Sequence, residues 1–330
     1  MEYRLLGNTG VKVSQLCFGT MSFGGDADEP TSELLYHRCR DAGVNFFDCA
    51  DVYSVGLSET ILGRLIAPHR DEVVITSKVY FPTGPDLNAR GASRRHIMAA
   101  VEHSLRRLNT DRIDVYFIHR YDDLTPLEET LRALDDLVRQ GKILYPAASN
   151  FAAWQIMKAL GISLHDTLAR FEVIQPMYNL AKRQAEVEIL PMAFAEKLAV
   201  TPYSPLGGGL LSGKYTRQAR PDKGRLVENK MYQTRYGDPA VYDLAGQFSE
   251  FARQHGFQPA ALAIAWVGSH PAVTAPIIGA RSLEQLEGCL AAAEIQLTPD
   301  LRAQISALAP EPPPATDRNE EKTAFNYGNR

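Results

Sequence analysis

The chain has 330 residues, 45% of them hydrophobic, and a formal net charge of −4 at pH 7. This length can bury one large α/β core, and the slightly acidic balance argues against the clustered basic surface of a nucleic-acid-binding protein. No apolar stretch is long enough to span a bilayer, and no apolar signal segment follows Met1-Glu2-Tyr3-Arg4. We therefore expect a cytoplasmic protein with neither a nucleic-acid nor a membrane partner.

Short β-like stretches and amphipathic helical segments alternate along the chain. At the N-terminus, residues 3–6 and 11–14 flank Gly7-Asn8-Thr9-Gly10, a pattern that predicts a β-hairpin. Helical segments follow, for example at 93–108, 127–140 and 185–197. Several successive strand ends are about 30 residues apart, the length of a strand, a helix and two loops. The eight β-like stretches after the hairpin end near Gly19, Asp48, Lys78, His119, Ser149, Gln175, Tyr203 and Gly279.

Eight successive βα units predict the α/β class and a (β/α)8 barrel, or TIM barrel, as a single domain over residues 1–330. We expect long loops at its C-terminal face, where such barrels build their active sites. The segment 213–239, rich in Lys, Arg, Gly and Pro, predicts one such loop over the barrel mouth, between the seventh strand and its helix. The tail 310–330 begins Pro-Glu-Pro-Pro-Pro and is expected to be extended or partly disordered.

Four polar residues at or just after predicted strand ends form a candidate acid–base set, namely Asp48, Tyr53, Lys78 and His119. Free tyrosine has a pKa of about 10 and is a poor proton donor to a carbonyl at neutral pH. A lysine cation nearby would lower that pKa, an aspartate could hold the lysine charged, and a neutral histidine could orient the carbonyl. This set predicts an enzyme.

Metal and disulfide chemistry find little support in the residue spacing. No cluster of His, Cys and Asp residues has metal-ligand spacing, so no metal is predicted. The cysteines show no CxxC pairing and occupy apolar or helical contexts, which favours buried thiols over disulfides. They are Cys17, Cys39, Cys49 and Cys289.

Six stretches carry a resemblance that covers nearly the whole chain. They are Gly43-Val44-Asn45-Phe46-Phe47-Asp48 with Asp51-Val52-Tyr53, Ile75-Thr76-Ser77-Lys78, Asp114-Val115-Tyr116-Phe117-Ile118-His119-Arg120, Ala148-Ser149-Asn150, Tyr203-Ser204-Pro205-Leu206 and Gly279-Ala280-Arg281. Together and in this order, the sequence resembles the aldo-keto reductases, and is most similar to the bacterial members related to potassium-channel β-subunits.

The resemblance implies a role for each residue. Tyr53 would be the general acid that protonates the carbonyl oxygen as hydride arrives, and Lys78 would lower its pKa. Asp48 would pair with Lys78, and His119 would orient the substrate. Ser149, Asn150 and Gln175 would bind the nicotinamide carboxamide, and the Tyr203 ring would stack on the nicotinamide. In total, the residues that would line the nicotinamide half of the cofactor are Gly19, Thr20, Met21, Asp48, Ser149, Asn150, Gln175, Tyr203, Ser204, Pro205 and Leu206.

A glycine cluster directly follows Leu206 and is compatible with more than one kind of nucleotide-binding site. Gly208 to Lys214 has the GxxxxGK spacing of a nucleotide P-loop, but Tyr215 follows where that motif requires Ser or Thr. No GxGxxG string opens a βαβ unit, which argues against a Rossmann site. Small residues with free backbone N–H groups beside a lysine still suit a pyrophosphate. The resemblance implies that role for Gly208 and Lys214.

The residues after the eighth strand should set cofactor preference. Gly279, Ala280, Arg281 and Gln285 match the family's adenosine pocket, and arginine suits bidentate capture of a 2′-phosphate, so NADPH is the predicted cofactor. Relatives commonly read Glu-Asn where this chain has Gly288-Cys289. Because those side chains normally hold the adenine, use of NADH remains open.

The substrate is predicted from the residues around the mouth. Phe81, His119 and Arg120 would contact the substrate together with Tyr53, and Tyr121 could border it. This mixture favours a hydroxylated aldehyde, such as a sugar aldehyde, over a steroid. Further residues expected at the mouth, on the long loop and the tail, are Asn229, Tyr232, Arg235, Tyr236, Asn326, Tyr327 and Arg330.

Three functions from different classes remain open at the level of sequence. The first is an NAD(P)H-dependent carbonyl reductase acting on a small molecule. The second is a cofactor-sensing regulatory subunit, since channel β-subunits resemble this chain but carry asparagine where it has His119. The third is an unrelated barrel enzyme, which would need a metal cluster or a Schiff-base lysine without a tyrosine partner. The sequence leaves the oligomeric state open.

Overall fold

The computed structural model describes residues 1–316. The strands in this range are β1 (Tyr3–Leu5), β2 (Lys12–Ser14), β3 (Cys17–Gly19), β4 (Phe46–Asp48), β5 (Val74–Val79), β6 (Ile113–Ile118), β7 (Ile143–Ser149), β8 (Val173–Gln175), β9 (Ala199–Val200) and β10 (Ile277–Ile278). The helices are α1 (Glu29–Asp41), α2 (Leu57–Ile66), α3 (Arg94–Leu108), α4 (Leu127–Arg139), α5 (Ala153–Asp166), α6 (Ile189–Ala195), α7 (Arg225–Glu228), α8 (Lys230–Arg235), α9 (Ala240–Gln254), α10 (Pro259–Gly268), α11 (Leu283–Leu290) and α12 (Pro299–Ser306). The expectations for Asn326, Tyr327, Arg330 and most of the tail 310–330 lie outside the described residues.

Eight parallel strands form the central sheet in the order β10-β3-β4-β5-β6-β7-β8-β9. Its two ends are joined by backbone hydrogen bonds from Thr274 to Val200 (2.9 Å) and from Ile277 to Pro202 (2.9 Å). Helices follow the strands and cover the outside of the sheet. The predicted α/β class and (β/α)8 barrel are confirmed.

The N-terminal hairpin closes the bottom of the barrel. β1 and β2 pair antiparallel with Tyr3 opposite Ser14, so the predicted hairpin is confirmed. Leu6 and Val13 on this hairpin are fully buried and pack against apolar residues that point inward from the strands, such as Phe117. The hairpin therefore removes apolar surface from water at the end of the barrel away from the predicted site.

Two of the three predicted helical segments form as expected and one is shorter. α3 and α4 match 93–108 and 127–140 within a residue, and the Ser93 hydroxyl accepts a hydrogen bond from the N–H of His96 at the start of α3. The segment 185–197 contains a 3₁₀ turn at Gln184–Glu186 and then the short helix α6. Pro191 lacks an N–H and fits only in the first turn of a helix, so the helix cannot run through it from residue 185.

The segment 213–239 is more ordered than the predicted loop. It contains the two short helices α7 and α8, and its aromatic residues form a separate apolar cluster. That cluster holds the segment down on the barrel because Tyr232 and Tyr236 are buried within it. The turn before the segment, Gly207–Ser212, is a 3₁₀ helix.

Candidate active site

Side chains two residues apart along a strand point to the same side of the sheet. The inward-facing positions of these strands form an apolar layer and, above it, a polar layer inside the barrel. In β4 and β8, Phe46 and Val173 belong to the apolar cluster at the barrel bottom. Two residues later along the same strands come Asp48 and Gln175, both buried. Lys78 lies toward the same carboxyl end of β5 and is fully buried. The same alternation that builds the core therefore brings the polar residues together above it.

Lys78 is held by three oxygen acceptors. Its Nζ donates to Asp48 Oδ2 at 2.6 Å, to the Cys49 carbonyl at 2.8 Å and to the Tyr53 hydroxyl at 3.4 Å. An ammonium group has three N–H donors, so all of them are used. Since the Tyr53 oxygen accepts from Lys78, its own O–H remains free to donate toward the cavity.

Asp48 is fixed by further hydrogen bonds on its other oxygen. Thr76 Oγ1 donates to Oδ1 at 2.7 Å and Gln175 Nε2 donates to it at 2.9 Å. Thr76 was not among the predicted site residues. Its signal in the sequence is its place in β5, two positions before Lys78 and therefore on the same face of the strand.

The pKa values of the pair follow from burial and mutual charge. Burial alone would lower the pKa of Lys78, but the Asp48 carboxylate and the Tyr53 oxygen outweigh it and raise that pKa above its usual value. Burial raises the pKa of Tyr53 to about 12, and the Lys78 charge acts in the opposite direction. Lys78 does act to lower the pKa of Tyr53, as predicted, but burial raises that pKa by more. Without a ligand, Tyr53 is therefore a protonated phenol.

His119 is a neutral imidazole in this cavity. Burial lowers its pKa to about 3, and the positive charge of Lys78 lowers it further. Its Nδ1 is buried without a hydrogen-bond partner among residues 1–316, so a ligand can reach the ring only through Nε2. Its ring contacts Tyr53 (centroids 6.2 Å apart) and Phe81 (5.0 Å), both edge to face.

A hydrogen-bonded chain joins the ends of β7 and β8 to Tyr203. The Ser149 hydroxyl donates to the Gln175 carbonyl (2.9 Å) and accepts from Asn150 Nδ2 (3.0 Å). Asn150 Oδ1 accepts from the Tyr203 hydroxyl (2.7 Å), and Nδ2 also donates to the His119 carbonyl (3.0 Å). The Asn150 amide thus orients Tyr203, while the Gln175 side-chain oxygen is left as an acceptor for a ligand.

The glycine turn approaches the cavity with its backbone. Gly207, Gly208 and Gly209 all have positive φ (60°, 71° and 101°), which is unfavourable for residues with a Cβ. A Cβ on Gly208 would lie 2.5 Å from the Tyr232 ring. Gly208, Gly209 and Lys214 line the same cavity, so a turn without side chains and a cation meet there. The N–H groups of Gly207 and Gly209 donate within the turn, to the carbonyls of Ser204 (2.9 Å) and Leu206 (3.1 Å).

The far end of the cavity lies at the start of α11. The Arg281 N–H donates to the Gln285 side-chain oxygen (3.2 Å), and the Ser282 hydroxyl accepts from the Gln285 N–H (3.4 Å). These bonds bring Arg281 and Gln285 together at a helix N-terminus. Gly288 and Cys289 line the cavity beside them.

These residues surround one cavity of about 910 Å³. That volume is within the range of cofactor and ligand pockets. The predicted site residues that line it are Gly19, Met21, Asp48, Tyr53, Phe81, His119, Arg120, Ser149, Asn150, Gln175, Tyr203, Ser204, Pro205, Leu206, Gly208, Lys214, Gly279, Ala280, Arg281 and Gln285.

Two predicted site residues lie behind the cavity wall. Lys78 is buried below Tyr53, which suits a residue that acts through the phenol. The prediction that Thr20 lines the cofactor is not matched by its position. Its hydroxyl is fully buried and bonds the Asp48 carbonyl (3.1 Å) and the Ser58 hydroxyl (2.9 Å), so it braces β4.

The mouth also differs from prediction at three residues. Asn229 caps α8 by accepting hydrogen bonds from the N–H groups of Met231 and Tyr232. Tyr236 is fully buried and accepts from Asn179 (3.1 Å), and Tyr121 packs edge to face on Phe151. Tyr232 and Arg235 do line the cavity. Sequence reasoning missed Lys223 and Arg225, which also line it and whose signal was the basic composition of 213–239.

The part of the chain that the structure describes offers neither a metal site nor a membrane-spanning helix. Within residues 1–316, no group of three or more His, Cys, Asp or Glu side chains could hold a metal ion. No helix there is long and apolar enough to cross a membrane. All four cysteines are free and buried, which confirms the prediction of buried thiols.

The fold and this site define an oxidoreductase barrel, and comparison with known proteins gives the family. The family model "Aldo/keto reductase family" matches residues 15–310. The chain is 38% identical to the uncharacterized oxidoreductase YrpG of Bacillus subtilis (94% of this chain and 97% of the relative covered). It is 36% identical to a probable voltage-gated potassium channel subunit beta of Arabidopsis thaliana (95% and 98%) and 33% identical to the versiconal hemiacetal acetate reductase of Aspergillus parasiticus (91% and 94%). The chain belongs to the aldo/keto reductase family.

The family's nicotinamide cofactor fits the residues of this cavity. Lys214 and Arg281 line it, and neither forms an ion pair with a carboxylate among residues 1–316, so both are available to phosphate groups. Gly208 and Gly209 line the same cavity and present backbone without side chains there. At the other end, the free oxygen of Gln175 suits a carboxamide N–H.

Proposed function

We propose that this protein reduces a small aldehyde or ketone to the alcohol, with Tyr53 as the general acid. The observation that carries the proposal is the position of Lys78, which donates at once to Asp48 and to the Tyr53 hydroxyl below the cavity. A nicotinamide cofactor, when bound, supplies the hydride. Asp48, Lys78, Tyr53 and His119 move and place the proton.

Each of these residues has a defined part in the proton transfer. Tyr53 holds a proton at Oη and can donate it to the carbonyl oxygen, because its phenol pKa is above neutral pH. The Lys78 ammonium stabilises the phenolate that remains. Asp48 keeps Lys78 charged and in place. Neutral His119 can donate a hydrogen bond to the same carbonyl oxygen through Nε2 and so orient it toward Tyr53.

We further propose NADPH as the preferred cofactor. Arg281 lies at the start of α11, where a guanidinium can bind a 2′-phosphate bidentately. For the remaining predicted cofactor residues, apart from Thr20, we propose the roles in cofactor binding that the sequence resemblance implies. Since Gly288 and Cys289 offer no polar side chain comparable to Glu-Asn at the adenine, we expect NADH to be used as well. As substrate we propose a hydroxylated aldehyde, such as a sugar aldehyde. We also propose that the enzyme is a single domain and that it is cytoplasmic.

A second function is a cofactor-sensing regulatory subunit with weak turnover. The identity of 36% to the Arabidopsis protein named as a potassium channel subunit beta favours it. His119 speaks against it, because the site then has both the acid and the group that orients a carbonyl.

One assay separates these functions. Loss of NADPH absorbance would be followed with glyceraldehyde, p-nitrobenzaldehyde and an apolar ketone, and the alcohol product would be identified. We expect turnover with glyceraldehyde. Tight NADPH binding with no turnover on any carbonyl would instead support the regulatory function, and turnover of the apolar ketone alone would reject the sugar-aldehyde substrate.

A further inference from the structure

Arg120 is an exposed cation at the substrate end of the cavity. It directly follows His119 at the carboxyl end of β6 and lines the cavity. It forms no ion pair with a carboxylate among residues 1–316. The nearby Asp122 is already used, since Oδ2 accepts from the Ala92 N–H (2.7 Å) and the Thr125 hydroxyl (2.7 Å) and Oδ1 accepts from the Leu124 N–H (3.0 Å). The Arg120 guanidinium thus keeps its donors free.

A row of aromatic rings connects the general acid to this guanidinium. Tyr53 contacts the His119 ring, which contacts Phe81. Phe81 contacts Tyr80 (centroids 5.3 Å apart), and Arg120 lies 6.0 Å from the Tyr80 ring centroid. Of these rings, Tyr53, His119 and Phe81 line the cavity together with Arg120, so the body of a substrate can lie along them with its carbonyl at Tyr53 and the cation at the other end.

The other charged groups of the cavity add positive rather than negative charge there. Arg235 lines the cavity, lies 5.3 Å from the Tyr232 ring centroid and forms no ion pair with a carboxylate within the described range. Burial raises the pKa of the Tyr203 phenol, and the charge of Arg235 opposes this shift. Arg235 therefore lies near Tyr203. The two acids that line the cavity are Asp48, which is bound to Lys78, and Glu284, which is on α11 at the far end.

We propose that the substrate carries an oxyanion group, a carboxylate or a phosphate, and that Arg120 binds it and so determines specificity. The inference rests on the proposed carbonyl reduction and narrows its substrate class. The Arg120 charge interacts with the Asp122 carboxylate, but no hydrogen bond joins the two groups. A guanidinium whose N–H donors are unused favours a bidentate oxyanion over a neutral hydroxyl, because it offers the oxyanion two parallel charge-assisted hydrogen bonds.

The test compares matched pairs of aldehydes that differ in one charge. The pairs are p-formylbenzoate with methyl p-formylbenzoate, and glyceraldehyde 3-phosphate with glyceraldehyde, each assayed for kcat/KM at saturating NADPH. We expect the anionic member to be favoured by roughly tenfold or more at low ionic strength, and less at high salt. Preference in only one pair would identify the oxyanion as carboxylate or as phosphate.

The variants assign that preference to Arg120. Arg120→Met should reduce the anionic-to-neutral ratio roughly tenfold or more through KM, and Arg120→Lys should restore part of it. Arg253→Met, which removes an exposed arginine on α9 paired with Glu250, is the charge-matched control and should keep the ratio. NADPH affinity is titrated on the same proteins by fluorescence.

Four outcomes overturn the inference. An anionic-to-neutral ratio near one in the wild type does so while leaving carbonyl reduction intact, and so does a ratio that Arg120→Met leaves unchanged. A loss in Arg120→Met that follows weaker NADPH binding would make Arg120 a cofactor residue. If none of the four aldehydes is reduced, the inference fails, and if p-nitrobenzaldehyde and the apolar ketone are not reduced either, the proposed function fails as well.

Discussion

At the scale of single residues, the site depends on one ammonium group whose donors are all used. Lys78 is fully buried, and its three acceptors come from β4 and from the turn that carries Tyr53. A buried charge without hydrogen-bond partners is costly in free energy. The Tyr53 hydroxyl is one of the partners of Lys78, so the burial of this charge depends on the position of Tyr53. The fixed position of the phenol oxygen is thus a consequence of satisfying a buried cation.

Removing the Tyr53 hydroxyl tests the proton transfer. Tyr53→Phe should keep the fold and cofactor affinity but lower the rate of carbonyl reduction by roughly 10²–10⁴-fold, the typical contribution of general acid catalysis. Lys78→Met should lower the rate through the same step, so the two losses should be strongly non-additive. Single-turnover hydride transfer and melting temperature would be measured on the same samples.

The competing explanation is that both residues serve only the fold. It predicts a lower melting temperature with normal transfer per folded molecule. A folded, cofactor-bound Tyr53→Phe protein with near-normal transfer would end the mechanism proposed here.

Asp51 predicts a pH dependence of stability. Both of its carboxylate oxygens are buried without a hydrogen-bond partner among residues 1–316. Burial raises its pKa to about 7, the charge of Glu59 adds to this, and Arg107 and Lys78 oppose it. Between about pH 4 and 7 the folded state therefore keeps a proton that the unfolded state releases, so this contribution to stability is lost as pH rises through that window.

Asp51→Asn cannot titrate and should remove this part of the pH dependence. The free energy of unfolding of the variant, relative to that of wild type, should rise from about pH 4 to 7 and stay level above, by an amount on the order of a few kcal/mol. Urea denaturation across this range measures it. Parallel curves for the two proteins would show that Asp51 is ionised in the folded state throughout.

At the scale of elements, a close helix contact holds the segment that carries Tyr53. α2 begins directly after the Tyr53–Gly56 turn, and a Cβ on Gly63 would lie 2.5 Å from the Leu108 carbonyl at the end of α3. Gly63→Ala should therefore separate the two helices and cost roughly 1–3 kcal/mol of stability.

Gly161 in α5 provides the matched control. A Cβ there would meet nothing within 4 Å, so Gly161→Ala should stabilise the protein by roughly 0.5–1 kcal/mol through helix propensity. Denaturant unfolding of both variants checks the opposite signs. Two changes of the same sign would mean that propensity, not packing, dominates at Gly63.

The ends of some strands were predicted correctly from the sequence, and the ends of others were not. Strand ends were predicted near Asp48, Ser149 and Gln175 from short β-like stretches, and β4, β7 and β8 end at these residues. Tyr203 was placed at a strand end, whereas β9 already ends at Val200, because Pro202 follows and cannot donate to the sheet.

Other misses arose from contacts between distant residues. His96 on the polar-looking helix α3 is buried, because the packing of neighbouring helices decides its exposure. The order in 213–239 likewise depends on aromatic residues that meet only in the folded chain. Asp48 and Lys78 were predictable because each lies at or near the end of a short strand that is mostly apolar, and Tyr53 because it follows soon after one.

At the scale of the whole molecule, cofactor binding should be visible as a stability change that depends on Arg281. A ligand that binds only the folded state raises its stability, and a charged hydrogen bond contributes about 1.5–3 kcal/mol. Arg281→Ala should weaken NADPH binding roughly tenfold or more and leave NADH binding little changed. Melting temperature measured against each cofactor's concentration checks this.

Equal losses for the two cofactors would contradict a role for Arg281 at the 2′-phosphate. Since Gly288 and Cys289 line the adenosine end, the wild type should already be stabilised by both cofactors at high concentration.

Closure of the barrel also constrains when the protein can fold during synthesis. β3 near the N-terminus pairs directly with β10, with Cys17 opposite Ile277. A nascent chain on the ribosome therefore exposes an unpaired strand edge until residue 278 has left the exit tunnel, and such edges are prone to aggregate. Ordering of the cavity, whose wall includes both Gly19 and Gly279, must wait for the same event. Cofactor capture therefore follows the emergence of β10, however early the acid–base residues emerge.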